Sequence, residues 1–301
     1  MIVSMDGMTW RQIKDSFGVK ILRLSLIFIN AIAGVIAIVL IIKAKPLLVH
    51  ISIVELLLSS DWHPMKGHFG FYPFIVSTLE VTAIAMILSI PVCLLSAIYL
   101  SEYAHRRFRE FARLAIDILA GIPSVIYGLF GVIVVVPFVR TLGNAWDVET
   151  TGYSLLAGGI ILAIMVSPFI ISLSLEVFRM VPIEARESAF ALGTTKWEAV
   201  KYVILKSARR GIFAAIGLGF TRAFGETMAV MMVVGNVVKI PTSIFDPAYP
   251  LPALIANNYG EMMSIPLYDS ALLFAALILM IVVGGFSTMS HFILHKTGGQ
   301  A

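Results

Sequence analysis

Between Gly211 and Gly235 the chain reads GIFAAIGLGFTRAFGETMAVMMVVG, an apolar stretch with Arg222 and Glu226 near its centre. As a single helix it would be roughly 37 Å long at about 1.5 Å per residue, against a hydrocarbon core of about 30 Å. Arg222 would then lie near the middle of a membrane. Two charges at that depth cost on the order of 5 to 7 kcal/mol before any pairing, so we expect them to be functional.

The composition indicates an integral membrane protein. Of the 301 residues, 59% are hydrophobic and 13% are charged, and the mean hydropathy is +0.94; soluble domains usually have about a quarter of their residues charged. The net charge of +4 does not indicate nucleic-acid binding, because the basic residues fall in the connections between apolar segments. The single cysteine, Cys93, excludes an internal disulfide and a cysteine-cluster metal site. No cleavable leader is expected.

Six apolar segments predict an all-α fold, a six-helix transmembrane bundle. They cover residues 24–42, 71–100, 114–139, 153–175, 211–235 and 271–294. In the third segment, Pro123 and Ser124 could release backbone groups toward a pathway, although kinks with purely structural roles are as common. We expect Asp117 to form an ion pair with Arg113, and Glu80 to lack a partner in its own helix.

The distribution of lysine and arginine predicts the orientation. With the N-terminus inside, sixteen basic residues lie on the cytoplasmic side and five on the outer side, and Arg222 completes the 22. Both termini are therefore expected in the cytoplasm. The proline-rich outer connection, residues 236–270, is a candidate docking surface. The predicted organisation is a cytoplasmic segment (1–23), a first membrane helix (24–42), an extracytoplasmic loop (43–70), a five-helix core (71–295) and a cytoplasmic tail (296–301).

The longest inner connection, residues 179–210, predicts two short helices that meet at a glycine. Pro182 suits a helix start, Gly193 a C-terminal stop, and Thr195 the cap of a second helix. By pattern alone, an amphipathic hairpin on the membrane surface and a protein-docking element fit this connection equally well.

The same connection resembles the EAA loop of ABC importer permeases, which docks onto the ATPase subunit. The matching residues are Glu187, Ala189 and Gly193, followed by Trp197, Val200, Val203 and Leu205. Lys206 stands where that family usually has proline, which leaves the end of the second helix open. Further stretches resemble the PstC type of phosphate-specific permease: DWHPMKGHFGFYPFIVSTL (61–79), AIYLSEYA (97–104), LAGIPSVIYGLFG (119–131) and RAFGETMAV (222–230).

This resemblance implies a type I, MetI-like permease in the cell membrane that imports inorganic phosphate at the expense of ATP. It also implies four kinds of neighbour: a PstA-like sister permease, two copies of a PstB-like cytoplasmic ATPase, a PstS-like extracytoplasmic phosphate-binding protein and the lipid bilayer. Glu187, Ala189 and Gly193 would couple the chain to the ATPase. Independently, the sequence contains no GxxxxGK[ST] phosphate-binding loop, so ATP hydrolysis is expected from a partner and not from this chain. No cofactor is expected, and the scattered histidines predict no metal site.

The candidate pathway residues are Arg222, Glu226, Thr227 and Ser124. The arginine fork matches oxyanion oxygens and stays charged at any relevant pH. Glu226, one helical turn away, would pair with Arg222 and could accept a hydrogen bond from protonated phosphate, which sulfate cannot offer. A mutually neutralised pair that only fixes helix register remains the structural alternative.

Small residues on the same face, Ala215 and Gly219, leave room for either a neighbouring helix or a small solute. Other functions also stay open at this point. They are transport of another oxyanion such as arsenate, a stand-alone channel or secondary transporter, and a scaffold or sensor that transports nothing. A secondary transporter would show an internal repeat of broken helices, which the sequence does not reveal.

Overall fold

A computed structural model describes residues 6–261 and 264–295. The first five residues of the predicted N-terminal segment, and the predicted tail at 296–301, lie outside the described residues. The helices are α1 (Asp6–His50), α2 (Ile53–Leu58), α3 (Tyr72–Ile98), α4 (Arg106–Gly121), α5 (Ser124–Phe130), α6 (Val136–Ala145), α7 (Leu155–Arg179), α8 (Ile183–Ala191), α9 (Lys196–Glu198), α10 (Leu205–Phe224), α11 (Met228–Met231), α12 (Leu251–Asn258) and α13 (Tyr268–His295). Two short strands, β1 (Trp62–His63) and β2 (His68–Phe69), pair antiparallel.

Five helical segments of the described chain are long and apolar enough to cross a membrane. They are Phe17–His50, Tyr72–Tyr103, Ser124–Ala145, Leu155–Arg179 and Tyr268–Ser290. The expected fold class, an all-α membrane bundle, is confirmed. The remaining predicted span, residues 211–235, is not one continuous helix, and its geometry is described with the site.

The first and third membrane helices have different bounds from those predicted. α1 does not end near Ile42 but continues to His50, because Ala44 and Leu47 are fully buried in a cluster that also contains Leu272 of α13. In the third segment, Leu114 belongs to the amphipathic helix α4, which stops at Gly121. The membrane helix starts only at Ser124, after the proline that removes a backbone donor.

The centre of the bundle is formed by α3 and α7, which pack along each other. Ala85 of α3 and Ile161 of α7 are fully buried in the hydrophobic core between these helices. Val230 and Val234, from the segment that follows Arg222, belong to the same core. A Cβ on Gly158 would lie 2.6 Å from Cγ1 of Val234, so the glycine allows that segment to approach α7 closely. The region of the two predicted charges is therefore tied directly to the core.

The connection at 236–270 folds back onto the bundle and is not a free loop. The backbone amides of Tyr249 and Leu251 donate to the hydroxyls of Ser77 (3.3 Å) and Thr78 (2.9 Å) on α3. The backbone amide of Thr242 hydrogen-bonds the Asp246 carboxylate and lowers its pKa. One part of the predicted docking surface, residues 248–254, is thus buried against the bundle, where polar side chains of α3 bind its backbone.

Candidate functional site

The segment that carries the two charges is a broken helix. α10 ends at Phe224, Gly225 follows as its C-cap, and a separate short helix, α11, begins at Met228. The prediction of one straight helix from 211 to 235 is therefore wrong. Arg222 lies in the last turn of α10, roughly 26 Å along the axis from Leu205, where a cation stabilises the unpaired carbonyl groups of a helix end.

The arginine side chain is placed by an aromatic ring from another helix. Its guanidinium carbon lies 5.0 Å from the ring centroid of Phe169 on α7, within the range of a cation–π contact. On the neighbouring α5, the Tyr127 hydroxyl donates to the Leu119 carbonyl (2.7 Å) across the break between α4 and α5. Sequence reasoning missed Phe169, because no local signal connects positions so far apart in the chain.

Glu226 does not pair with Arg222. Among the ion pairs of the described residues none joins these two side chains, because the break takes Glu226 off the α10 helix. Its Oε1 instead accepts from the backbone amide of Ala229 (3.2 Å) in the first turn of α11. The neighbouring Thr227 is half-buried and donates to the Gly225 carbonyl (3.3 Å). The predicted neutralised pair is thus replaced by two separately held charges.

Ser124 lies at a second break. α4 ends at Gly121 and α5 begins at Ser124, directly after Pro123, so the predicted interruption is confirmed. The two breaks belong to helices in contact, because α5 packs against α11. At this contact a Cβ on Gly128 would lie 2.5 Å from the sulfur of Met232 and 3.3 Å from Cα of Ala229. Two interrupted segments therefore meet beside Arg222, a feature that hydropathy did not reveal.

The small residues on α10 serve helix packing. A Cβ on Gly219 would lie 2.6 Å from Cγ1 of Ile170 on α7, and Ala215 is buried. Sequence alone left a close-packed helix and a solute site as alternatives for this face. At Gly219 the neighbour is a helix, and Arg222, one turn further along the same face, is exposed.

The hairpin between α7 and α10 follows the predicted pattern. Pro182 precedes α8, Gly193 adopts a left-handed φ of 79°, and Thr195 caps α9 with its side chain. The Glu198 carboxylate completes a capping box by accepting from the Thr195 hydroxyl (2.7 Å) and backbone amide (2.8 Å), which lower its pKa. The second helix does not stop near Lys206 but passes through a π-helical turn into α10.

This α8–α9 hairpin, residues 181–204, combines a fixed inner side with an exposed apolar outer side. Ala189 is buried, and its carbonyl accepts from the Thr194 hydroxyl (2.8 Å). Glu187 and Gly193 are exposed. The exposed apolar side chains of the hairpin are Ile183, Phe190, Leu192, Trp197 and Tyr202. Such a patch on a projecting element indicates a surface that another protein covers.

The family of the chain follows from comparison with known proteins. Residues 89–294 match the family described as "Binding-protein-dependent transport system inner membrane component". The chain belongs to this family. The matched range contains both broken helices and the α8–α9 hairpin.

Curated relatives of this permease agree with the motifs. Over 244 residues it is 39% identical to the phosphate transport system permease protein PstC of Xylella fastidiosa (strain Temecula1), covering 76% of this chain and 75% of the relative. It is 34% identical over 255 residues to PstC of Haemophilus influenzae, with 80% of each chain covered. The resemblance to PstC-type permeases is confirmed.

Solved structures show the same fold. A chain of the bacterial alginate ABC transporter in complex with its pentasaccharide-bound periplasmic protein superposes with a TM-score of 0.65 at 15% identity, covering 95% of this permease and 97% of that chain. A chain of the inward-facing methionine transporter MetNI superposes with a TM-score of 0.57 at 19% identity, covering 73% of this permease and 92% of that chain. The expected MetI-like permease fold is therefore confirmed. This permease is an inner-membrane component of an ABC transporter, and its partners are of the ABC-transporter type.

Proposed function

We propose that this chain is one of the two membrane subunits of an ATP-driven importer of inorganic phosphate, and that Arg222 binds the anion in the pathway. The observation that carries this proposal is the position of Arg222. It sits at the end of a broken helix beside a second broken helix, and among the described residues no carboxylate forms an ion pair with it. The names of the PstC relatives support phosphate as the cargo.

Arg222 suits a transient anion site for two reasons. Phe169 supports one face of the guanidinium, so the donors at its edge stay available to oxyanion oxygens. A ring also binds a cation more weakly than a carboxylate would, so an incoming anion does not have to displace a strong partner. The site can therefore take up and release its cargo in each transport cycle.

Glu226 and Thr227 would favour an anion that carries a proton. One oxygen of Glu226 caps α11, and the other has no hydrogen bond within the described part of the chain. A free carboxylate oxygen accepts from a P–OH group and repels a fully ionised oxyanion such as sulfate. Thr227 would offer a neutral hydroxyl, and Ser124 a second one from the break between α4 and α5.

The α8–α9 hairpin would dock onto a cytoplasmic ATPase through its exposed apolar side chains, with Glu187 and Gly193 at the contact and Ala189 fixing the hairpin shape. Two ATPase copies, a sister permease and an extracytoplasmic binding protein for phosphate would complete the importer. The chain itself would not hydrolyse ATP. The hairpin and both termini would then lie in the cytoplasm, and the connection at 236–270 would lie outside.

The decisive experiment is uptake of radiolabelled phosphate into proteoliposomes that contain this chain, the sister permease and the ATPase. The binding protein and the phosphate are added outside, and ATP is enclosed in the lumen. We expect accumulation that requires both ATP and the binding protein. Accumulation without the ATPase would indicate a channel or secondary transporter, and no accumulation with all components present would refute the proposal. Recovery of the ATPase on the detergent-solubilised chain should depend on Glu187.

The selectivity of the same site is tested with Glu226→Gln. We expect phosphate uptake by this variant to become sensitive to competing sulfate, because the amide no longer repels the fully ionised anion. Thr221→Val, on the preceding turn of α10, is the control and should keep sulfate resistance. If phosphate uptake by Glu226→Gln resists sulfate as well as the wild type does, the carboxylate caps α11 but does not select the anion.

A further inference from the structure

Four arginines line one small cavity at the end of the bundle that carries the α8–α9 hairpin. They come from three helices: Arg109 and Arg113 from α4, Arg179 from α7 and Arg186 from α8. The cavity has a volume of about 170 Å³, and a single water needs about 10 to 15 Å³ of such space. It is therefore large enough for a tetrahedral oxyanion with some of its hydration water.

Two of these arginines are neutralised within the protein. Arg186 is mostly buried and donates to Oε1 of Glu102 (2.5 Å) and to the Phe178 carbonyl (2.6 Å). Arg179 donates to Oε1 of Glu176 (3.3 Å) at a more exposed position. Each therefore has a carboxylate partner, and Glu102 places one negative charge near the cavity.

The other two carry uncompensated charge. Arg109 donates only to the carbonyls of Ser101 (2.9 Å) and Ala104 (3.2 Å), and its Nε is buried without a hydrogen-bond partner. Arg113 is half-buried and forms no hydrogen bond or ion pair with any described residue; the ion pair predicted with Asp117 is absent. A buried guanidinium donor without an acceptor is unfavourable, and an anion in the cavity would relieve it.

A second cavity shares two lining residues, Arg113 and Leu175, with this arginine pocket. It measures about 330 Å³, and its lining also includes Phe169, whose ring contacts the Arg222 guanidinium. Asp117 and Glu176 also line it. These carboxylates would disfavour a long stay of an anion there, whereas the uncompensated charges of the arginine pocket favour one. The shared residue Arg113 therefore places the arginine pocket next to a cavity that reaches the aromatic partner of Arg222.

We propose that the arginine pocket is a second oxyanion site, which holds the transported tetrahedral anion after it leaves Arg222. This inference rests on the proposed function for the identity of the anion. Arg109 and Arg113 supply the free donors, Arg186 and Ser101 complete the wall, and the partner of Arg186, Glu102, keeps the total charge low enough for release.

The test measures binding of radiolabelled inorganic phosphate to the assembled importer in phosphatidylcholine nanodiscs, without the external binding protein. We expect Arg113→Gln to weaken one class of sites by at least about tenfold, because it removes a charged donor. Arg113→Lys keeps the charge but not the fork and should bind a few-fold more weakly. Arg107→Gln is the matched control: it removes one arginine from an exposed position on the same helix, outside the cavity.

The outcomes separate this inference from the proposed function. Arg222→Gln should lose uptake yet keep the Arg113-dependent binding. If the wild-type importer takes up phosphate while Arg113→Gln binds it like the wild type, the arginine pocket is not an anion site. If Arg113→Gln does not assemble with the ATPase, unchanged affinity in Arg113→Lys leads to the same conclusion.

A phospholipid headgroup offers the same phosphate chemistry, so the binding is repeated with phosphatidylglycerol in the nanodiscs. We expect the Arg113-dependent sites to persist. Their complete loss, together with Arg113-dependent retention of phosphatidylglycerol during purification, would assign the pocket to a headgroup and overturn the proposal.

Discussion

The α8–α9 hairpin and the break at Gly225–Thr227 lie on either end of α10 and are stabilised in different ways. The hairpin is closed by its own residues, through the left-handed turn at Gly193 and the capping box of Thr195 and Glu198. The break is surrounded by distant residues, with Phe169 of α7 under Arg222 and α5 packed on α11. A site built from distant parts of the chain can respond when the helices move, whereas a locally closed hairpin can transmit force without changing shape.

The largest expected effect concerns the charge at the break. Arg222→Gln should lower phosphate uptake about 100-fold, the loss expected when a charged hydrogen-bond donor to an anion is removed. Arg209→Gln on the same helix is the control, because it removes an exposed arginine at the hairpin end. Uptake by proteoliposomes checks this result, with ATPase recovery as the measure of assembly. Normal uptake in Arg222→Gln would reduce the arginine to a packing role.

The packing that holds α10 against α7 gives the next effect. Gly219→Ala places a methyl group within 2.8 Å of both Cγ1 and Cδ1 of Ile170, and such overpacking costs about 1 to 3 kcal/mol. Thermal unfolding of the purified complex should show the loss, and the double variant with Ile170→Ala should recover part of it. Gly284→Ala, where no atom lies within 4 Å, is the matched control. Equal melting temperatures for the two glycine variants would contradict the packing assignment.

A smaller effect is expected in the turn of the hairpin. Gly193→Ala forces a side chain into a φ of 79° and costs about 1 to 2 kcal/mol, although nothing lies within 4 Å of the new methyl group. Hydrogen exchange should increase in α8 and α9, and ATPase recovery should fall. Gly193→Asn, which tolerates this conformation better, should behave closer to the wild type. If the alanine variant docks normally, backbone strain at the turn does not limit docking.

The smallest effect is expected at the cap of α9. Thr195→Ala should destabilise this end of the hairpin by about 1 kcal/mol. The pKa of Glu198 is lowered in the fold, so its stabilisation is present above the ordinary value of about 4.3 and disappears as the pH falls through the folded pKa. Hydrogen exchange across α9, corrected for intrinsic rates, should therefore rise in acid for the wild type. In Glu198→Gln this additional pH dependence should be missing.

The sequence predicted the elements that depend on neighbouring residues. The hairpin, with its start at Pro182 and its turn at Gly193, could be recognised because proline, glycine and capping residues act within one or two helical turns. The break at Pro123 and Ser124 was recognised for the same reason. At Gly225 no proline marks the end of the helix, so an uninterrupted apolar run was extended across it.

The sequence by itself determined that this chain is a helical membrane protein, which family motifs it carries, and which charges lie in its apolar segments, because hydropathy and local capping are properties of short stretches. Only the tertiary structure decided what each charge contacts. It separated Glu226 from Arg222, placed Arg222 over Phe169, and brought Arg109 and Arg113 to one cavity with Arg186. The contact of Arg222 and the grouping of the three arginines join residues far apart in the chain, and they form only when α4, α7, α8 and α10 come together.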